Sequence, residues 1–447
     1  MMTQSNLMVM HEDQIPEGYK KTEIGLFPKE WNIISLGELS IISRLAGAEY
    51  TTMWVEDDKG EIIALRGFNI GKNTINLRDV VRITSKLSKK LIRSKLCEYD
   101  VVYPCVGTIG NAAVIYENDK YHIQQNIARI TPKRGRLNSE YLASYLISEL
   151  AHKEVARFNA TSSQPNVLVS SLRQYRVPCP NTLEEQEKIA KVLSDTDVFI
   201  TELEKLIEKK QAIKTATMQQ LLTGKTRLPE FALRADGTPK GYKETELGKI
   251  PEDWEVKKIG EFTDCTAGGT PSTSVKSYWG GQHPWMSSGE LHLKRVCDVK
   301  ERITDAGLKY SSTKYVPSDS VLMGLAGQGK TRGTVAISKI KLCTNQSIAS
   351  IFPSEEHNTE YLYYNLDSRY EELRGLSTGD GGRGGLNLSI IRKLAIPFPS
   401  LNEQNKIALV LSDLDRELEL ISIKLAKLNK IKQGMMQELL TGKTRLV

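Results

Sequence analysis

Apolar residues recur along this chain in two rhythms. From Leu183 to Leu228, and again from Leu401 to Leu446, they step by alternate fours and threes. The second stretch carries Ile407, Leu411, Leu414, Leu418, Ile421, Leu425 and Leu428; the first carries Ile189, Leu193, Ile200, Leu203, Ile207 and Ile213, interrupted at Thr196 and Lys210. That spacing draws one apolar stripe along an α-helix and is the seam of a coiled coil. Neither stretch contains Pro, and ahead of the closing TGK the only Gly is Gly434. Each predicts a helix of roughly 40 residues, about 60 Å long at ~1.5 Å per residue. Such a helix has one greasy edge, and two of them bury that edge on each other. Elsewhere, short β-branched runs alternate with Gly-bearing turns and predict strands, as at Asp100-Val101-Val102-Tyr103, Ala113-Val114-Ile115 and Ser320-Val321-Leu322-Met323. Shorter helices are predicted at Glu140–Phe158 and Glu360–Leu373, each behind an Asn-Ser or Asn-Thr suited to N-capping.

The two long stretches are copies. Both end in LLTGKTRL, at Leu221–Leu228 and Leu439–Leu446, and the step of 218 positions holds back through Glu185/Glu403, Gln186/Gln404 and Ile189/Ile407. The rest of the chain is duplicated too. GYKKTEIGLFPKEWNIISLGEL at 18–39 returns as GYKETELGKIPEDWEVKKIGEF at 241–262, Gln125 and Ile127-Ala128 as Gln346 and Ile348-Ala349, Glu140-Tyr141-Leu142 as Glu360-Tyr361-Leu362, and Pro178 and Pro180 as Pro397 and Pro399. A period near 220 residues is far too long for a solenoid. The organisation is two domains of one kind, each followed by one helix: 1–180, then the helix stretch 181–228, a polar link at 229–240, the second domain at 241–400, and the second helix stretch at 401–447.

Composition narrows the function. The chain has 447 residues and a net charge of +7, compatible with nucleic acid though too modest to establish it. It lacks a run of ~18 apolar residues, so no membrane span is expected. Six cysteines without a CxxC pair, and six histidines without HExxH, argue against a metal site or disulfide framework and for free thiols in a reducing cytoplasm.

Three patterns invite an enzyme reading. Gly324–Thr331 (GLAGQGKT) matches the phosphate-binding GxxxxGK[ST] pattern, but that chemistry needs a helix after the loop, and the next residues, Gly333-Thr334-Val335-Ala336-Ile337, are strand-like. Glu255-Val256-Lys257 is nuclease-like, yet its twin Asn32-Ile33-Ile34 has lost both partners, so a strand with solvated charges is the better reading. The Gly-rich 379–385 stretch around Arg383 suits a loop that orders on a phosphate backbone, or a plain surface loop. Together they make no active site.

The order domain, long helix, domain, long helix resembles the specificity subunit of type I restriction–modification systems. The letters that carry the likeness are Glu30-Trp31 and Asp253-Trp254-Glu255, the Pro-x-Pro followed by EQ..IA..L at Pro178–Leu193 and Pro397–Leu411, and the TGKTRL endings. The resemblance covers essentially the whole chain. It implies an α+β fold: two similar α/β target recognition domains joined by two long antiparallel coiled-coil helices, a pseudo-twofold tandem duplication. It implies a non-catalytic subunit that reads a split, asymmetric double-stranded DNA site, one half per domain, and that docks two methyltransferase and two restriction/translocase subunits. S-adenosylmethionine, ATP and Mg would then belong to those partners, and this chain would bind no cofactor. The alternatives are an NTP-binding enzyme built on Gly324–Thr331 and a coiled-coil scaffold without DNA reading.

Phosphate contacts call for Lys, Arg and small polar groups, and base reading for Arg, Lys, Asn and Gln. The candidates in the first domain are Arg66, Asn69, Lys86, Lys89, Lys90, Arg93, Gln124, Gln125, Ser162, Ser163 and Gln164. In the second they are Ser287, Ser288, His292, Lys294, Gln328, Lys330, Arg332, Asn345, Gln346 and Arg383. For Gln125 and Gln346 a shared structural hydrogen bond competes with a base contact.

Overall fold

The computed structural model describes residues 15–158, 166–327, 329–376 and 385–446. Both long stretches fold as single 39-residue helices, Leu183–Leu221 and Leu401–Leu439. The chain divides into two compact units, and each takes half of each long helix: unit 1 is Met1–Lys205 with Ile423–Val447, and unit 2 is Leu206–Ser422. Within each unit the two half-helices run antiparallel. In unit 1, Lys432 meets Asp197 while Arg445, further along, meets Glu185, nearer the other helix's start. In unit 2, Lys210 meets Glu417, and Arg227 meets Glu403.

Unit 1 holds a four-stranded antiparallel sheet in the order Ser40–Ser43, Ile127–Pro132, Val101–Pro104, Ala113–Val114. Beside it lies a three-stranded sheet, Val81–Ile83, Ile62–Leu65, Tyr121–Ile123, whose last pair is parallel. Unit 2 repeats both and adds an edge strand to each. Arg295–Val296 extends Cys265–Ala267, Ile348–Ile351, Val321–Gly324, Val335–Ser338, and Tyr315–Val316 extends Glu301–Ile303, Trp279–Met286, Leu342–Thr344. The short helices begin where the caps place them, with the Asn138 and Asn358 side chains accepting from the Tyr141 and Tyr361 amides at 2.9 Å. They are shorter than the pattern predicts. Glu140–Phe158 is two helices, Ser139–Leu146 and Glu149–Phe158, and Glu360–Leu373 is Thr359–Ser368 and Tyr370–Gly375. At each break a serine hydroxyl turns back on a carbonyl three residues earlier, Ser148 on Tyr145 and Ser368 on Asn365.

The words that recur in the sequence are the parts that close each unit. In unit 1 the tail after the second long helix seats Gly442 at φ +67 over Pro28 and Trp31, where a Cβ would come within 2.6 Å of Pro28. Arg445 then reaches Glu185, at 2.5 and 2.9 Å, and Glu30 at 3.0 Å. Unit 2 repeats the clasp from the other helix: Gly224 at φ +70 over Pro251 and Trp254, and Arg227 between Glu403 and Asp253. The residue after each Glu works as well. Gln186 and Gln404 accept the Asn138 and Asn358 amides at 2.9 Å, tying the long helix to the short one. Tyr141 and Tyr361 donate their hydroxyls to the Pro178 and Pro397 carbonyls, which fixes the Pro-x-Pro strand.

The seam differs from its expected course at Ile213 in the first copy. Ile213 and its twin Ile431 are exposed, one residue off the stripe. The seam position is taken instead by Lys214 and Lys432, whose ammonium groups pair with Asp415 and Asp197. Both aspartates are also held by their own unit's globular part, Asp415 by the Tyr364 hydroxyl at 2.6 Å and Asp197 by the Asn73 amide at 3.0 Å.

Candidate DNA interface

In each unit three loops meet at one end of the two sheets and are bonded together. In unit 1 the turn after Ile62–Leu65, the loop between Val101–Pro104 and Ala113–Val114, and the turn between Tyr121–Ile123 and Ile127–Pro132 meet there. The Gln124 amide donates to Leu65 O at 3.0 Å, the Cys105 amide to Asn126 O at 2.7 Å, and Thr108 Oγ1 to Gly67 O at 2.8 Å. The chain returns to the same loop at Val167, whose amide donates to Cys105 O at 2.8 Å. Unit 2 is built alike. There the Asn345 amide donates to Met286 O at 3.0 Å, Leu325 to Ser347 O at 2.8 Å, and Leu386 to Leu325 O at 2.9 Å.

This loop cluster gathers the candidates Arg66, Gln124 and Gln125 in unit 1, and Ser287, Ser288, Lys330, Arg332, Asn345 and Gln346 in unit 2. Gln125 and Gln346 occupy equivalent turns, one in each unit. Gln346 is exposed and its side-chain oxygen accepts from Thr270 Oγ1 at 2.5 Å. Gln124 donates to Glu56 at 3.1 Å. Lys330 is exposed, its carbonyl held by the hydroxyls of Thr334 and Tyr370. Arg332 is half-buried, and the Asn345 side chain caps the Ser347 amide at 3.2 Å. The Ser287 amide is committed within the turn, donating to Glu290 at 3.0 Å.

Other candidates lie elsewhere or are occupied. Asn69 is 0% exposed, so the contact expected of it is not available. Its amide is spent on the turn, accepting from the Arg66 amide at 2.9 Å and donating to the Asn76 and Arg78 carbonyls at 2.9 and 3.1 Å. Lys86, Lys89 and Lys90 project from the helix Ser85–Lys90, and with Arg93 they form an exposed basic stretch; the Arg93 carbonyl is tied to Ser43 in the neighbouring sheet. Lys294 pairs with Asp367 at 2.8 Å. His292 is exposed on the turn Ser288–Leu293, its ring bonded to Gly289 O at 2.7 Å. Ser162, Ser163, Gln164, Gln328 and Arg383 fall outside the described residues.

The phosphate-loop alternative fails on geometry. Gly324–Thr331 starts a hairpin loop between Val321–Gly324 and Val335–Ser338, which pair antiparallel, and the Gly324 and Gly333 amides close it on Thr334 O and Gly324 O at 2.9 Å. A phosphate loop leads into a helix N-terminus, and here the chain turns straight back into a strand. Among the described residues no group of His, Cys, Asp and Glu is arranged to hold a metal, and no helix is long and apolar enough to cross a membrane. All six cysteines are free. Sequence reasoning missed two apolar members of the unit 1 cluster, Phe68 and Val106, 51% and 41% exposed. A Phe in a Gly-flanked turn gives no signal that it faces outward.

Known proteins share this plan. The family of type I restriction modification DNA specificity domains matches twice, over residues 28–215 and 251–433. A putative type I restriction enzyme MjaX specificity subunit from Methanocaldococcus jannaschii is 25% identical over 443 residues, covering 96% of this chain and 97% of its own. The EcoR124I/EcoR124II specificity subunit of Escherichia coli is 24% identical over 252 residues, 55% of this chain and 56% of that one. The crystal structure of the type I restriction–modification S subunit from M. genitalium shares the fold, with a TM-score of 0.57 at 15% identity over 92% of this chain and 96% of that one. The doubled match, the doubled loop cluster and the doubled clasp agree: this chain belongs to the type I restriction–modification DNA specificity family.

Proposed function

We propose that this subunit reads a split, asymmetric double-stranded DNA site, one half per unit, within a complex in which two methyltransferase subunits and two restriction/translocase subunits are its partners. The observation that carries this reading is the doubled loop cluster, built on one backbone plan but carrying different side chains. Unit 1 offers Arg66, Phe68, Val106 and Gln125 where unit 2 offers Ser287, Gly289, Lys330 and Gln346. Equal scaffolds with unequal side chains suit two unlike half-sites, because backbone and phosphate contacts set position while side chains at base edges set sequence. In this reading the chain contributes recognition alone, and S-adenosylmethionine, ATP and Mg work on its partners. The subunit, expressed together with its methyltransferase partners, is tested by sequencing the modified bases of the host genome. A single motif of two unlike halves separated by a fixed unspecified spacer is the expected result. Modification without a sequence motif, or none above that of the methyltransferase alone, would refute it in favour of a plain scaffold.

A further inference from the structure

Phe68 is half exposed and yet held firmly. It sits in the three-residue turn Gly67–Asn69, whose ends are fixed by the buried Asn69 side chain and by Asn69 N–H donating to Arg66 O at 2.8 Å. Thr108 ties the hairpin loop to Gly67 O at 2.8 Å, which sets the exposed Val106 loop beside the same turn. Arg66 lies over the phenyl ring, its guanidinium carbon 4.5 Å from the ring centre, and is itself anchored on Asp79 O. Fixing an exposed aromatic ring in this way keeps water against apolar surface and costs free energy in the isolated protein. A ring already fixed in the free protein also has less ordering cost to meet in a later binding step.

We propose, resting on the DNA-reading role above, that Phe68 is a specificity-determining residue that reads the 5-methyl group of one thymine in the half-site of unit 1. In the major groove that methyl is the only apolar group a base edge presents, and Phe is among the side chains that pack on it. A wedge inserted between base pairs is the other use of an exposed aromatic at DNA. Full stacking between two base pairs uses both faces of the ring, and the Arg66 guanidinium already lies over one. About half of the residue stays open to solvent, which suits a lateral contact with a methyl group. Unit 2 keeps the same turn without the ring: Ser287 N–H donates to Glu290 at 3.0 Å as Arg66 N–H does to Asn69, and Gly289 stands where Phe68 does. The thymine contact therefore belongs to one half-site and not the other.

The test uses the subunit assembled with its methyltransferase partners and a duplex carrying its own modified motif. Each thymine in both halves is replaced in turn by deoxyuridine, which lacks only the methyl. Native protein should lose roughly four-fold in affinity at one position, in one half only, the worth of a single buried methyl group. Phe68→Ala should bind the all-thymine duplex more weakly and be indifferent to uracil at that position, and Phe68→Leu should restore part of the difference. If no position responds, or the response persists in Phe68→Ala, the inference is overturned. Weakening by Phe68→Ala that is independent of uracil, with a smaller DNA bend, would overturn it in favour of a wedge. Absence of any sequence-dependent binding would instead overturn the DNA-reading role on which it rests.

Discussion

Trp254 donates its indole N–H to Glu403 at 3.0 Å, and the same carboxylate takes two bonds from Arg227, which is 5% exposed against 2% for Glu403. Burial works against the Arg227 charge, but Glu403 and Asp253 outweigh it and hold the guanidinium above its ordinary range. Removing the arginine strands a buried carboxylate. Arg227→Ala is expected to cost about 3–5 kcal/mol, read as faster hydrogen exchange confined to unit 2. The twin substitution Arg445→Ala should cost less and act on unit 1, because Arg445 is more open to water. A second residue sets a pH dependence. Burial against Phe262 pushes the His357 imidazole down to about 4, with Glu356 opposing only weakly. The folded ring stays neutral while the unfolded one protonates below its ordinary value of 6.5. Stability from this group is thus whole above pH 6.5 and is lost as pH falls toward 4, a change of roughly 3 kcal/mol. Denaturation of His357→Asn across that range should show a flatter profile for unit 2. A profile identical to that of the native chain would assign the pH dependence to other groups.

At the scale of elements, the paired lysines on the seam test how the long helices find their register. Lys432 and Asp197 are a partly buried ion pair on a mostly apolar stripe, as are Lys214 and Asp415. Such a pair contributes little net stability but penalises any slipped pairing that leaves it unmatched. Lys432→Met alone should therefore destabilise unit 1, and adding Asp197→Leu should recover most of the loss. A double-mutant cycle by urea denaturation measures this, and additive losses would contradict it. These pairs also mark where the sequence stopped being legible. The apolar rhythm gave both helices with their starts at Leu183 and Leu401, and repetition singled out Glu185/Glu403, Trp31/Trp254 and TGKTRL as parts that matter. It could not say what they do, because their partners are remote: Arg445 closes on Glu185 and Arg227 on Glu403. Lys214 and Lys432 do not declare themselves as seam positions until the aspartate opposite each is known. The loop cluster was legible in part. Gln125 and Gln346 stood out by recurring, whereas the DNA-contact candidate Asn69 is buried and Phe68 passed unmarked, since turn residues carry no periodicity to show which way they face.

On the scale of the whole molecule, the clasp makes the two halves of the chain interchangeable in principle. The segment that closes unit 1 is Leu439–Leu446, and its copy Leu221–Leu228 has the same eight residues. A fragment of residues 1–228 keeps the first globular part and a complete first helix, but it lacks the half-helix from Ile423 onward that belongs to unit 1. Its own tail carries every group needed to replace that segment on a second copy: Gly224 for Gly442 over Pro28 and Trp31, Arg227 for Arg445 between Glu185 and Glu30, and Lys214 for Lys432 opposite Asp197. Two fragments should thus exchange tails and form a closed homodimer, since each then satisfies the other's buried Glu185. Sedimentation should give a dimer, and Arg227→Ala in the fragment should shift it toward monomer even though Arg227 belongs to unit 2 in the full chain. With methyltransferase subunits, two copies of one reading face should modify a palindromic motif made of the unit 1 half-site twice. A fragment that stays monomeric with Glu185 protected from solvent would mean that unit 1 closes by some other contact, and the interchange of tails would not hold.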